Sequence, residues 1–244
     1  ALAHVRVVAA IEVDGVGVEA GDVGHLPVHA PVQRARGPVH RDVGDVLDRQ
    51  SLENACGGCW AAYYLVHSMI AQKKKFAEAD RRAAHNMAGA AAAAGLQRMI
   101  YLGGLAEAKG IPLSKHLQSR IEVADILQSG SVPTTDLRAP MILGSGSASF
   151  EILRYLVEHL PVMTTPRWVF SRNQPIAVRN VINYLVGCLD HDETIGATFD
   201  IGGPDVITYR ELLDIYAQEA HLPKRWIIPV PVLTPTLSAY WIQL

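Results

Sequence analysis

The sequence predicts an α/β protein with a doubly wound parallel sheet and a small C-terminal lobe. Short apolar runs that suit buried strands alternate with longer stretches that suit helices, which is the order of parallel strands joined by crossover helices. The 244-residue chain is 49% hydrophobic and 19% charged, so it can bury a large core. Beyond Pro161 the alternation loosens. We therefore expect a main domain over residues 1–160 and the smaller lobe over residues 161–244.

The N-terminal segment is the unusual part of the chain. A first strand is predicted over Val5–Val13, followed by Gly15, Gly17 and Gly21, a spacing similar to that of turns that hold phosphate. Glycines and prolines then stand where a helix should begin, so no helix of normal length fits, and we expect residues 1–40 to be irregular. Residues 1–48 contain 12 valines and no Ser, Thr, Asn, Lys, Phe or Tyr. This composition fits either an unusual N-terminus or an out-of-frame reading of the gene.

Alternating elements are predicted from Ser51 to Leu160. Each helix is placed by a cap, a glycine stop or its length, and each strand by a short run of apolar or β-branched residues. A glycine turn at Gly103-Gly104 is expected to close the strand Arg98–Leu102. The predicted elements are a helix over Ser51–Ala55 with Ser51 as its cap, a strand over Ala61–Val66, an alanine-rich helix over Phe76–Ala94 ended by Gly95, a strand over Arg98–Leu102, a helix over Leu113–Gln128, a strand over Pro133–Arg138 and a helix over Phe150–Leu160.

The C-terminal lobe is predicted from two caps and a proline-rich run. Its expected elements are a helix over Val181–Leu189 capped by Asn180, a strand over Thr198–Ile201, a helix over Tyr209–Ala220 capped by Thr208, and an extended segment over Ile227–Pro235. The sequence ends at Leu244 inside an apolar segment, from which we expect a lobe that continues further.

Charge and hydropathy exclude several classes of protein. A net charge of −2 gives no cationic surface, which disfavours nucleic-acid binding, and the short Lys73–Lys75 run is expected to be a solvated helix start. The most apolar stretch, Trp226–Leu244, is interrupted by prolines, so no spanning helix is predicted, and the start lacks the pattern of a signal peptide. We therefore expect a cytoplasmic protein that acts on a small molecule.

The three cysteines agree with a reducing compartment, because they are too few for a disulfide framework. Cys56 and Cys59 have CxxC spacing, but no second cysteine or histidine pair completes a zinc site. The pair also closes a predicted helix instead of opening one after a strand, as a redox dithiol normally does. We expect neither a metal site nor a redox site here.

His116 and Arg120 are the strongest candidates for chemistry. They lie four residues apart on the predicted helix that follows the strand Arg98–Leu102, so both side chains project from one helix face. Ligands bind at the carboxyl ends of parallel strands, and this helix is expected to face such an end. A hydrogen-bonding ring and a fixed cation can together hold a ribose and a phosphate. The competing interpretation is a helix in which His116 only caps or packs.

Several segments together resemble a known family. They are GDVLDRQSLENACGGCWAAYYLVHSM from Gly44, RMIYLGGL from Arg98, LSKHLQSRIEV from Leu113, LRAPMILGSGSASFE from Leu137 and FDIGGPDVITYREL from Phe199. The chain from Gly44 onward resembles the atypical short-chain dehydrogenase/reductases, in particular the NAD(P)-binding epimerase/dehydratase and NmrA-like proteins. The N-terminal glycine fingerprint of that family is missing. The resemblance implies a Rossmann-like sheet and an NADP or NAD cofactor.

The resemblance also assigns roles to matching positions. His116 and Arg120 replace the Tyr and Lys of the catalytic YxxxK motif; a histidine can donate a proton at neutral pH, whereas arginine acts only as a fixed charge. Gly103 and Gly104 occupy the place of the Ser or Thr that polarises the substrate carbonyl, which glycine cannot do. The implied cofactor contacts are Asp45 and Val46 at the adenine, Leu65, Val66, His67 and Ser68 along the ribose, Gly103 and Gly104 beside the reacting group, and Ala139, Pro140 and Met141 beside the nicotinamide.

Two functions stay open on this basis. The resemblance in the C-terminal lobe favours an oxidoreductase or epimerase acting on a small carbonyl or sugar-like compound. The missing Tyr, Lys and Ser favour a regulatory protein that senses the dinucleotide without turnover. In either case the missing phosphate-binding helix predicts feeble or undetectable binding of NADP(H) or NAD(H), because several hydrogen bonds to charged oxygens are lost.

Overall fold

A computed structural model describes residues 7–10, 18–19, 43–66, 76–105 and 114–229. Within these ranges the helices are α1 (Arg49–Cys56), α2 (Phe76–Ala93), α3 (Lys115–Gln128), α4 (Ala148–His159), α5 (Val178–Asp190) and α6 (Tyr209–Glu219). The strands are β1 (Val7–Ala10), β2 (Val18–Glu19), β3 (Val43–Gly44), β4 (Ala61–Tyr64), β5 (Arg98–Gly104), β6 (Thr134–Ala139), β7 (Ile142–Leu143), β8 (Val162–Thr165), β9 (Arg172–Asn173), β10 (Ile176–Ala177), β11 (Thr198–Asp200), β12 (Ile207–Thr208) and β13 (Trp226–Pro229).

The chain forms two compact units. The first contains Ala1–Arg138 and Asn183–Asp200, and the second contains Ala139–Ile182 and Ile201–Leu244. The end of α5 and strand β11 therefore belong to the first unit, although they follow much of the second unit in the sequence.

The first unit is built on a five-stranded sheet with the order β1-β4-β5-β6-β11. The pairs β1–β4, β4–β5 and β6–β11 run parallel. Strands that follow one another along the chain are joined by helices, and the order outward from β1 corresponds to one half of the doubly wound dinucleotide-binding sheet. The predicted α/β fold class with a Rossmann-like parallel sheet is confirmed.

Helices lie on both faces of this sheet. On one face α1, α2 and α3 enclose the main apolar core, into which Tyr64 and Tyr101 point from neighbouring strands. On the other face the Tyr63 hydroxyl donates to the Leu185 carbonyl of α5, at 2.9 Å. The two adjacent tyrosines of β4 are both buried, on opposite faces, as strand alternation requires.

Arg98 also joins the sheet to α5. This side chain is buried, and its Nη1 donates to the Cys188 carbonyl at 2.6 Å while its Nη2 pairs with Asp192 Oδ1 at 2.6 Å. Its guanidinium carbon lies 4.8 Å from the centroid of the Trp60 ring. Because the last carbonyls of a helix lack partners within the helix, the cation satisfies the C-terminal end of α5.

Three local predictions were wrong. Gly103 and Gly104 do not form a turn, because they continue β5 to its end. The cap of α1 is Asp48, whose side chain accepts from the Gln50 amide, and Ser51 lies inside the helix. Helix α5 begins at Val178, so Asn180 also lies inside it.

Other local predictions are confirmed. Gly95 ends the alanine-rich helix region with a φ of 71°, a conformation that glycine adopts without strain. Thr208 caps α6 and forms a capping box with Glu211. In the N-terminal segment the structure describes β1, inside the predicted first strand, and β2; the rest of residues 1–42, including Gly15, Gly17 and Gly21, lies outside the described residues.

The second unit has its own apolar core around α4, α6 and the strand β8. Three two-stranded ladders accompany the helices, of which β7–β10 and β8–β13 are parallel and β9–β12 is antiparallel. The core residues are Leu153, Val157, Met163, Val169, Leu212, Leu213, Ala217 and Ile227. Among the described helices, none has both the length and the apolar character needed to cross a membrane.

Candidate functional site

The carboxyl ends of β4 and β5 define the site that the sequence predicted. Tyr64, the last residue of β4, pairs with Tyr101 of β5, so Leu102, Gly103 and Gly104 extend beyond the end of the neighbouring strand. Ligands of doubly wound sheets bind at this edge. The structure therefore places a two-glycine strand end, with no side chains of its own at 103 and 104, where a ligand is expected.

Arg120 reaches this strand end from α3. Its Nη2 donates to the Leu102 carbonyl at 2.8 Å, and the Tyr101 hydroxyl donates to the Arg120 backbone carbonyl at 3.3 Å. A Cβ at Gly104 would lie 3.2 Å from Arg120 Nε, so the missing side chain gives the guanidinium room. Among the described residues, the buried Nε of Arg120 has no hydrogen-bond partner. The arrangement fixes a cation at the end of β5 with one donor unused.

His116 lies in the first turn of α3, four residues before Arg120. Ser114 caps this helix by accepting from the Leu117 amide at 3.2 Å. His116 is exposed, whereas Arg120 is half-buried. The helical register that puts both residues on one face is present, and the role of His116 as a proton donor stays a prediction.

Asp136 is a buried carboxyl group that sequence reasoning missed. It lies on β6 and is only 4% exposed, and among the described residues its Oδ1 has no hydrogen-bond partner. A Cβ at Gly103 would lie 2.5 Å from this oxygen and 3.2 Å from Cε1 of Tyr101. The carboxyl group thus occupies the space that a side chain at position 103 would need.

Burial brings the pKa of Asp136 closer to neutral pH than is usual for an aspartate. Burial raises its pKa from 3.8 to about 6, although the positive charges of Arg138 and Arg120 act in the opposite direction. Burial likewise raises the pKa of Tyr101 to about 12, which Arg120 opposes. An acidic residue in the middle of a strand predicted to be buried was the available sequence signal, because such residues are seldom buried without a function or a partner.

The predicted adenine contacts, Asp45 and Val46, lie just before α1. The Asp45 side chain is exposed, and its Oδ1 accepts from the Leu47 amide at 2.8 Å. The Asp45 amide donates to Ser51 Oγ at 3.1 Å, which is the role that Ser51 has in place of capping. Val46 is buried in the main core, and its carbonyl accepts from Asn86 Nδ2 of α2 at 3.0 Å. Asp45 is thus held in a defined turn with its carboxylate at the surface.

The other predicted cofactor contacts divide between the two units. Leu65 and Val66 follow β4 directly; Leu65 is half-buried and Val66 belongs to the main core. His67 and Ser68 lie outside the described residues. Of the remaining three contacts, Ala139 is the last residue of β6, and Pro140 and Met141 follow it. All three belong to the second unit, where the Met141 carbonyl accepts from the Ile176 amide at 3.0 Å.

Cys56 and Cys59 do not form a reactive pair. Both are free thiols, Cys56 is buried in the main core, and burial followed by the neighbouring Cys59 raises the pKa of Cys56 to about 11. A thiol with this pKa is almost entirely uncharged at neutral pH and is a poor nucleophile. Among the described residues no group of His, Cys, Asp and Glu side chains could hold a metal ion.

No family model matches the chain, and no curated protein matches its sequence. Solved structures do match. A short-chain dehydrogenase/reductase superfamily protein from Agrobacterium tumefaciens, crystallised with bound NAD, has a TM-score of 0.63 and 18% identity over 82% of this chain and 76% of that chain. A nucleoside-diphosphate-sugar epimerase from Staphylococcus aureus has a TM-score of 0.64 and 17% identity over 81% of this chain and 66% of that chain.

A third structure, the dTDP-glucose 4,6-dehydratase from Streptomyces venezuelae with bound NAD, has a TM-score of 0.62 and 14% identity over 77% of this chain and 66% of that chain. The chain thus spans about two thirds of the length of two of these three proteins. At these identities the likeness shows the fold, which is the one that the sequence resemblance implied.

Proposed function

We propose that this protein binds NADP or NAD and acts as an atypical short-chain dehydrogenase/reductase, an oxidoreductase or epimerase for a small carbonyl or sugar-like compound. The observation that supports this most directly is the fixed cation at the end of β5, where Arg120 donates to the Leu102 carbonyl. The sheet order gives further support, because ligands of this fold bind at that edge. Two of the three matching structures described above contain NAD.

Residues of the first unit suit both ends of a dinucleotide, Arg120 the nicotinamide end and Asp45 the adenine end. Arg120 retains an unused donor, its buried Nε, and the two glycines at the strand end leave room for Arg120 and Asp136 beside the backbone. Asp45, exposed before α1, can accept from an exocyclic amine. When bound, a nicotinamide dinucleotide supplies hydride transfer. The phosphate-binding turn would have to come from residues outside the described part of the chain.

His116 would then be the proton donor, and Arg120 would hold charge without exchanging protons. An exposed imidazole in the first turn of α3 can pass a proton to or from water, which suits general acid catalysis. Arginine stays charged at all relevant pH values, so it can orient a ribose or an anionic group but cannot act as the acid. Gly103 and Gly104 contribute only backbone groups to the site.

A non-catalytic sensor of the dinucleotide is the second candidate. The observation in its favour is that β5 ends in two glycines, so this strand end presents no hydroxyl to polarise a carbonyl. A sensor needs the cofactor-binding residues but not His116. The two functions therefore differ in what replacement of His116 does.

A binding map followed by a turnover assay tests the proposal. NADH or NADPH added to the isotope-labelled protein should shift the amide signals of Gly103 and Gly104 and the side-chain signal of Arg120. Shifts confined to the second unit, or no shift at any concentration, would contradict dinucleotide binding at this site.

Turnover then separates the enzyme from the sensor. An enzyme oxidises the reduced cofactor in the presence of small aldehydes, ketones or keto-sugars, and His116→Gln lowers this rate while leaving the binding map unchanged. His159→Gln, at the end of α4 in the second unit, is the matched control. Binding without any turnover across the panel would favour the sensor.

A further inference from the structure

The end of β5 is surrounded by charged and titratable groups of the first unit. Asp136 contacts it from β6, Arg120 contacts it from α3, and Tyr101 lies on the strand itself. The three side chains enclose the same stretch of backbone, Leu102 to Gly104. Two buried atoms beside this stretch, Asp136 Oδ1 and Arg120 Nε, form no hydrogen bond to any described residue. The charges of these two side chains therefore interact through space and not through a direct bond.

We propose that Asp136 is the counter-charge of Arg120, and that protonation of Asp136 strengthens the attraction of Arg120 for an anionic ligand at the end of β5. The choice of a dinucleotide as that ligand rests on the proposed function; the coupling of the two charges does not. An ionised Asp136 offsets part of the field of the guanidinium, and a protonated Asp136 leaves that field uncompensated. The effect is strong in a buried setting because water screens the two charges poorly.

Gly103 makes this arrangement possible. The carboxyl oxygen fills the side-chain space of residue 103, with the position of a Cβ only 2.5 Å away, so the group is held against the strand and excluded from water. Burial of this kind makes a carboxyl group hold its proton more tightly. Its midpoint therefore falls where modest changes in pH alter the charge, consistent with a pKa raised to about 6.

The other groups that act on Asp136 largely oppose one another. Arg138 beside it on β6 favours the ionised form, whereas Asp200 on β11 and Asp125 on α3 favour the protonated form. Arg138 also pairs with Asp200 at 2.6 Å, so each of these two charges partly cancels the effect of the other on the pKa of Asp136. Arg120 is thus the cation near Asp136 for which no carboxylate partner is found among the described residues.

The coupling can be measured without any ligand. In the protein labelled with ¹⁵N on arginine, the Nε–H signal of Arg120 should move with pH and show a midpoint of about 6, as Asp136 titrates. Asp136→Asn should abolish this movement. Asp125→Asn removes the same charge from an exposed position on α3 and should leave the movement in place. An Arg120 signal that does not respond to pH, or that still moves in Asp136→Asn, would overturn the proposal.

The reciprocal measurement holds even if Asp136→Asn fails to fold. The interaction between the two charges is reciprocal: if an ionised Asp136 stabilises the charge of Arg120, then Arg120 lowers the pKa of Asp136 by the same free energy. Loss of the Arg120 charge should therefore raise the midpoint of the Asp136 titration. The ¹³Cγ signal of Asp136 should therefore titrate at higher pH in Arg120→Met than in the wild type. An unchanged midpoint would overturn the proposal.

The ligand arm uses NAD⁺, whose pyrophosphate charge is constant over this pH range. With His116 replaced by Gln in every protein compared, so that the imidazole adds no charge, the affinity should rise about fivefold between about pH 8 and pH 5.5 where Asp136 is present, Asp125→Asn included. It should stay constant in Asp136→Asn, given one charge offset at a range of several ångströms. A rise of equal size in Asp136→Asn would overturn the proposal. If NAD⁺ binds to none of the variants, the proposed function fails while the two ligand-free measurements still decide the charge coupling.

Discussion

Replacement of Gly103 by alanine tests the geometry of the site, because the structure predicts a collision there. A Cβ at this position would lie 2.5 Å from Asp136 Oδ1 and 3.2 Å from Cε1 of Tyr101. Ordinary carbon–oxygen contacts are about 3.3 Å or longer, so the carboxyl group or the strand must move by roughly 0.8 Å. Asp136 has little freedom to move, because it is buried and its side chain is short.

The expected magnitude follows from two opposing effects. Overpacking in a well-packed interior costs about 1 to 3 kcal/mol. Alanine also restricts the unfolded chain, which returns about 0.4 to 1 kcal/mol where the native backbone tolerates a side chain, as in a regular strand. We therefore expect Gly103→Ala to lower the free energy of unfolding by about 1 to 2 kcal/mol.

Two matched substitutions give the comparison. At Gly104 a Cβ would lie 3.2 Å from both Arg120 Nε and Leu117 Cδ1, a much milder contact than the 2.5 Å at Gly103, so Gly104→Ala should cost less than Gly103→Ala. At Gly187, inside α5, the closest atom found is 4.0 Å away, and Gly187→Ala should stabilise the protein by about 0.5 to 1 kcal/mol because alanine favours the helix.

The assay is urea unfolding of the three variants and of a double-mutant cycle. In an Asp136→Ala background the carboxyl group is absent, so the cost of Gly103→Ala should largely disappear, which gives a coupling energy of about 1 kcal/mol or more. A Gly103→Ala protein as stable as the wild type, or a coupling energy near zero, would refute the contact between position 103 and Asp136.

Three further predictions concern charge and thiol chemistry. Arg98→Met should destabilise the protein by about 1 to 3 kcal/mol in urea unfolding, because the buried Cys188 carbonyl loses its donor, while the Asp192 carboxylate is 90% exposed and regains water. Arg138→Met, from a half-exposed pair, should cost less than about 1 kcal/mol, and equal costs would contradict this. Burial raises the pKa of Asp136 to about 6, so the folded state binds this proton more tightly than the unfolded chain, and the stability that the proton confers is lost as the pH rises from about 4 to 6. Stability measured against pH should therefore fall across that window by about 1 to 2 kcal/mol more in the wild type than in Asp136→Asn, and parallel curves would contradict it. A thiol reagent applied to the native protein should modify Cys59 before Cys56, whose pKa is raised to about 11; the reverse order would show that Cys56 is accessible.

The fold could be predicted because local signals agree with the global pattern. Gly95 ends a helix, Thr208 begins one, and the short apolar strands alternate with helices as a parallel sheet requires. The return of the chain to the first unit at Asn183–Asp200 could not be foreseen. Sequence periodicity gives the type of an element but not the sheet in which it pairs.

The site could be predicted only in part, for a similar reason. The spacing of His116 and Arg120 needs nothing beyond helical geometry, and the structure brings Arg120 to the strand end. The role of Gly103 depends on Asp136, which is more than thirty residues further along the chain, so the glycine pair was misinterpreted as a turn. Contacts between neighbouring strands are set by the fold and leave no local trace in the sequence.

Titration with NADPH and NADH tests the central claim most directly. If the strand end and Arg120 hold the nicotinamide half while residues 1–48 lack a phosphate-binding helix, the loss of about two charge-assisted hydrogen bonds weakens binding roughly 10²- to 10⁴-fold. We therefore predict saturable binding in the range of about 0.1 to 10 mM, against the micromolar affinity that an intact site gives. Arg120→Met should weaken it further, while Arg82→Met, at an exposed position of α2, should not. Micromolar binding would show that residues 1–48 form a working phosphate site, and binding that is absent or indifferent to Arg120 would contradict the proposed function.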